Sequence, residues 1–182
     1  MSNKLLSINN LQLTLAILKP DITRVPFNLI NVRQMILDRE FMVVRSKALE
    51  LSRSDAERFY AEHEGKFFYN RLVTYMSSGT CHAHILARQD AIAEWRRLMG
   101  PTKVTKTRYE QPDTIRGMFG LTDTRNTSHG SDSDENALKE IAFFFPEFDK
   151  NDFYSNEAPE FIRQWNECNL EISPTAFVHV IN

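Results

Sequence analysis

The 182-residue chain sets 22 Lys and Arg against 24 Asp and Glu, a near balance that argues against nucleic acid or an anionic membrane as its main partner. With 42% hydrophobic residues, 13 Phe, and only 6 Gly and 7 Pro, it has the composition of one folded domain, or of a domain with an appendage, and not of a disordered chain. Two cysteines, Cys81 and Cys168, give neither a disulfide framework nor metal-ligand spacing, and no apolar run reaches the ~20 residues that span a bilayer.

The opening MSNKLLSINN is unlike a secretory signal or an Arg-rich transit peptide, and a reducing compartment, cytosol or mitochondrial matrix, fits the cysteines. Leu11, Leu13, Leu15 and Ile17 then alternate along a first strand that Lys19-Pro20 ends. Leu29, Val32 and Ile36 give residues 27–39 a helical face. Residues 41–51 read as a second strand, and Ser54-Asp-Ala-Glu57 as a capping box opening a helix through Tyr60, with a shorter helix over 69–76. Cys81, Ala83, Ile85 and Ala87 mark a third strand over 80–88, and Asp90 is placed to cap a helix holding Ile92, Trp95 and Met99. Residues 100–128 show no sustained periodicity, which suits a functional loop. Ser131 or Ser133 caps a last core helix with Ala137, Ile141 and Phe144 on one face. Beyond Pro146 the chain reads as irregular, with one helix around Phe161 and Trp165. The order predicts an α+β fold around an antiparallel sheet.

The cations point toward phosphates. There is no GxxxxGK[ST], so side chains such as Lys19, Arg96, Arg116 and Arg125 would have to hold them; a guanidinium pairs two phosphate oxygens at once, although a single Arg is more often a surface residue. His129 lies in a polar stretch just before a helix N-terminus, where a negatively charged group is favoured. Imidazole is a competent nucleophile at cellular pH, and Glu140 in the following helix is placed to fix its tautomer. The blander reading is a loop histidine that caps or packs. His82 and His84 sit two apart on one strand face without a third metal ligand nearby, which reads as a polar outer face. Tyr60, Phe68 and Tyr69 read by default as packing residues, and His63 and His179 carry no signal.

Five stretches, LAILKPD (15–21), FYAEHEGKFFYNRLVTYMSSG (59–79), WRRLMGPT (95–102), TIRGMFG (114–120) and RNTSHGSDS (125–133), together resemble the nucleoside diphosphate kinases, within that family the divergent type 6 branch most of all. The resemblance covers residues 11–148, leaving 149–182 as a C-terminal extension that is not a separate domain. It implies a ferredoxin-like βαββαβ core with a four-stranded antiparallel sheet, and ping-pong transfer of the γ-phosphate of a nucleoside triphosphate, typically ATP, to a nucleoside diphosphate through phosphorylated His129. By the same resemblance Lys19 and Asn126 contact ribose hydroxyls and phosphates, and Arg96, Thr102 and Arg116 hold the phosphates. Tyr60 stands by the reacting histidine, Glu140 orients its ring, Phe68 stacks on the base and Leu72 lines the cleft. Mg²⁺ is then expected on the nucleotide phosphates and not in a carboxylate cage.

Residues 102–116 are about three residues longer than the family pattern, in a loop that builds trimeric contacts in relatives, and the chain after Pro146 departs from it. Both leave a homo-oligomer or a protein partner open, and with them the alternative of a catalytically weak nucleotide-binding module that acts through a partner. An RNA-binding sheet is disfavoured by the absence of a basic patch and of alternating aromatics.

Overall fold

A computed structural model describes residues 5–181. Strand β1 (Gln12–Leu18) is buried along almost its whole length, because helices cover both faces of the sheet it centres. Leu13, Leu15 and Ile17 enter one apolar cluster and Ala16 and Leu18 the opposite one, so the period-2 alternation feeds two cores. Strands β2 (Met42–Glu50), β3 (Thr80–Arg88) and β4 (Ser128–Gly130) complete an antiparallel sheet in the order β2-β3-β1-β4. Leu15 pairs with Ile85, and Ile17 with His129.

After the short α1 (Pro20–Thr23), α2 (Pro26–Asp38) crosses from β1 to β2, and α5 (Ala91–Met99) crosses from β3 to β4. Pro26 opens α2 at a position where a missing N–H costs nothing, and Val32 and Ile36 face the sheet beside Trp95. The connectivity is βαββαβ, a ferredoxin-like α+β fold, as the resemblance implied.

On the other face lie α3 (Arg53–Phe59), α4 (Tyr69–Met76) and α8 (Asp134–Phe144). The capping box of α3 sits two residues earlier than the sequence suggested: Ser52 caps, and Asp55 bonds back to it. Asp90 precedes α5 but in a left-handed conformation with no capping bond; Gln12 Oε1 accepts from Ile92 N instead, at 3.0 Å. At α8 the cap is Ser133.

Two short helices, α6 (Val104–Glu110) and α7 (Ile115–Phe119), occupy the segment that read as aperiodic. Each spans two turns or fewer, too few to print a periodicity. The tail is more ordered than expected. After α9 (Lys150–Asp152) and a π-helical turn (Phe153–Glu157), α10 (Ala158–Asn166) buries Ala158, Phe161 and Ile162 against the α3–α8 face. A hairpin of β5 (Glu171–Ser173) and β6 (Val178–Val180) then places Phe177 on the α2 face. That hairpin corrects the reading of β3, whose His82 and His84 do not form a polar outer surface. His84 is fully buried, 5.3 Å from the Phe177 ring, with no hydrogen-bond partner among the described residues for either ring nitrogen.

Candidate active site

Where β1 ends, Lys19-Pro20-Asp21 grips the approach to β4. Lys19 N donates to Thr127 O at 2.9 Å, and its buried Nζ donates to Asn126 Oδ1 at 2.7 Å. Asp21 accepts from Thr127 N at 3.0 Å and from the Tyr75 hydroxyl. Thr127, at φ +74°, holds a left-handed conformation that costs a β-branched residue energy, and these bonds oppose that cost. Burial, reinforced by Arg116, pulls the Lys19 ammonium down to about 8.

His129 lies on β4 with its carbonyl fixed by Trp95 Nε1 at 3.0 Å. The next residue must be glycine, since a Cβ on Gly130 would sit 2.3 Å from Trp95 Cδ1. The His129 ring, 20% exposed, places Nε2 at 2.8 Å from Glu140 Oε1. Glu140 Oε2 accepts from Ser131 Oγ at 2.5 Å, and Ser131 Oγ in turn accepts from Leu15 N at 3.2 Å. A carboxylate offers acceptors alone, so Nε2 carries the hydrogen and Nδ1 keeps its lone pair. Phe59 and Tyr60 meet the imidazole edge-on, at 5.2 and 6.1 Å between ring centroids. The Tyr60 hydroxyl is buried without a hydrogen-bond partner among the described residues, and burial drives its pKa well up, so it remains a phenol with a proton to donate.

Arg116 is nearly buried. Its Nε donates to Asn126 O at 3.1 Å, and its terminal nitrogens donate to Gly100 O at 2.5 Å and Ser128 O at 2.9 Å. It ties both ends of the 100–128 segment to the start of β4. Arg96 stands exposed on α5; burial lowers the Arg116 guanidinium and the Arg96 charge adds to it, while the Asp132 carboxyl is lowered first by its bond from Asn136, with Arg96 a lesser contributor. Thr102 is exposed in the approach to α6, and no bond joins it to the other candidates.

Along the α3–α4 wall the rings continue away from His129. His63 stacks on Tyr60 at 6.1 Å with 18° between planes, and lies 5.4 Å from Phe68. Leu72 is 8% exposed on α4, in the cluster against which Phe68 packs. Lys19, Asn126 and Arg116 thus meet in one group, His129, Glu140 and Tyr60 in another beside it, and Phe68 is joined to them through His63.

Sequence reasoning missed three contributors. Asp21 was legible as a carboxylate in the first turn of a helix next to a strand-end lysine. Ser131 was read as a cap, whereas its hydroxyl orients Glu140. His63 had no local signal, because its ring contacts depend on how the chain folds at the α3–α4 corner.

A sequence profile described as "Nucleoside diphosphate kinase" matches residues 12–150. Among similar proteins, "Nucleoside diphosphate kinase 6" of Danio rerio is 52% identical over 164 residues, covering 90% of this chain and 93% of that one. The protein of the same description from Homo sapiens is 50% identical over 181 residues, covering 100% and 95%. Among solved structures, the nucleoside diphosphate kinase of Aquifex aeolicus superposes with a TM-score of 0.71 at 34% identity, covering 74% of this chain and 95% of that one. A halophilic nucleoside diphosphate kinase from Halobacterium salinarum in complex with CDP gives 0.69 at 28% identity, covering 83% and 97%.

Proposed function

The chain belongs to the nucleoside diphosphate kinase family, and from that premise we propose that it moves the γ-phosphate of a nucleoside triphosphate, ATP in the typical case, to a nucleoside diphosphate through His129. The observation that carries this reading is the relay from Leu15 N through Ser131 and Glu140 to His129 Nε2, which leaves Nδ1 with a free lone pair. In the first half-reaction Nδ1 attacks the γ-phosphorus, a P–N bond forms, and the bond to the bridging oxygen breaks, releasing the diphosphate. The positive charge that develops on the ring is met by the Glu140 carboxylate, while the proton stays on Nε2. In the second half a terminal phosphate oxygen of the incoming diphosphate attacks the same phosphorus and the P–N bond breaks.

The rest of the site works by charge and alignment. The Arg96 side chain is exposed and makes no hydrogen bond or ion pair to another described residue, so its donors are available for phosphate, and the Lys19 ammonium, bonded to Asn126, adds a buried cation to the site. The Tyr60 phenol offers a donor beside the reacting ring. Phe68 presents an aromatic face that any base can stack on, which supports acceptance of several nucleotides. Mg²⁺ carried on the nucleotide would supply charge neutralisation at the phosphates, beside the cations of Lys19 and Arg96.

The test is brief incubation of the purified chain with Mg·ATP labelled at the γ-phosphate, followed by GDP. The chain is expected to take up label that acid removes and base does not, and to pass it to GTP. His129→Ala is expected to take up none while unfolding at an unchanged temperature. Transfer that survives in this variant overturns the reading.

A further inference from the structure

Phe67 is 92% exposed, more than any other large hydrophobic side chain among the described residues. One exposed apolar side chain needs no explanation by itself; its place relative to the cleft does. The rings along the α3–α4 wall form a series from the reactive end outward: His129 to Tyr60 at 6.1 Å, Tyr60 to His63 at 6.1 Å, His63 to Phe68 at 5.4 Å, and Phe68 to Phe67 at 5.5 Å. Phe67 makes a ring contact with Phe68 and with no other member of the series, so it marks the outer end. Its plane stands at 89° to that of Phe68. The two rings make a right-angled corner with one arm largely in solvent.

We infer that Phe67 contacts the nucleobase and favours purine over pyrimidine nucleotides. The inference rests on the proposed reading in which the phosphates lie at His129 and the base on Phe68. A base stacked there points its glycosidic bond inward, toward the phosphates, and its far edge outward. In a purine the far edge belongs to a second, six-membered ring, whereas a pyrimidine ends one ring sooner. The purine therefore reaches the perpendicular ring of Phe67 and gains an edge-to-face contact as well as the stack. Binding also removes the exposed phenyl from water, a gain the shorter base realises less fully.

Dissociation constants for GDP, ADP, CDP and UDP, measured by calorimetry on the whole chain, decide the matter. Phe67→Ala is expected to weaken GDP and ADP about two- to tenfold and to leave CDP and UDP within about twofold. Its unfolding temperature should match the parent, since Phe67 is exposed, and Phe67→Tyr should restore purine affinity. An equal loss for all four bases, no loss for any, or failure of tyrosine to restore binding overturns the inference. A chain that binds nucleotides but never takes up label would sink the transfer reading alone, and the four dissociation constants would still judge Phe67. A chain that binds no nucleotide removes both.

Discussion

At Lys19 burial sets stability and function against each other. Its ammonium is held at about 8, against 10.5 in the unfolded chain. Between those values the unfolded state binds more protons, so this lysine's contribution to stability rises with pH across the window. Its service to a polyanion runs the other way, because above about 8 the cation fades. The KM for a nucleoside diphosphate is therefore expected to climb roughly three- to tenfold from pH 7 to 9, with no fall in the lysine's contribution to stability over that range; a KM flat to pH 9.5 refutes this. Ser131 presents a different trade. It is buried between Leu15 N and Glu140, so Ser131→Ala leaves a buried amide unmet and should cost about 1–3 kcal/mol. Because Glu140 touches the imidazole and not the nucleotide, kcat is expected to fall about tenfold with KM unchanged. If KM rises and kcat holds, Ser131 does not act through Glu140.

Among the elements, the 100–128 segment depends most on one side chain. Arg116 was carried over as a phosphate holder, yet in the fold three of its donors go to the carbonyls of Gly100, Asn126 and Ser128. The fork of a guanidinium spans such a set, and a single ammonium does not. Arg116→Lys is thus expected to destabilise the nucleotide-free chain by about 3 kcal/mol, a drop of roughly 10 °C in Tm. An unchanged Tm with a raised KM would mean that Arg116 serves the phosphates and not the segment. The elements also show what was legible beforehand. β1 and β3 could be read because alternation writes burial directly into sequence, and Leu13, Leu15, Cys81 and Ala83 all face the predicted core. α6 and α7 could not, since helices of 7 and 5 residues complete too few turns to show a face. The capping box at Ser54 failed for a subtler reason. SRSDAE contains two overlapping cap patterns, and the end of β2 at Glu50 selects the earlier one. The His129–Glu140 pair was legible because both lie on well-marked elements, whereas the His63 contacts with Tyr60 and Phe68 exist only once α3 and α4 have packed.

Taken whole, the chain after Pro146 clasps the sheet from both sides, and that explains the misreading of His84. Phe153, Ala158 and Phe161 enter the cluster on one face, while Phe177 enters the other with the Arg33 guanidinium 4.6 Å above its ring. The strand face carrying His82 and His84 looked polar in isolation because the residues that cover it lie about 90 positions later. Their burial has a consequence for acid stability. Burial, with the Arg33 and His82 charges adding to it, pushes His84 down to about 3, and burial alone brings His179 to about 4. His179 Nδ1 also accepts from Val43 N at 2.8 Å, along the edge strand β2, and an imidazolium has no lone pair there to accept with. In the unfolded chain these histidines titrate near 6.5. Below that pH the unfolded state takes up protons that the folded state refuses, so stability is complete above 6.5 and is lost as pH falls toward 4. Thermal unfolding followed from pH 7 to pH 5 is expected to lose on the order of 5 °C. His84→Leu keeps a side chain of similar bulk over Phe177 and removes one refused proton, so its Tm should fall less steeply across the same interval. An equal slope in the two proteins would mean that His84, beneath the C-terminal hairpin, does not contribute to the acid sensitivity.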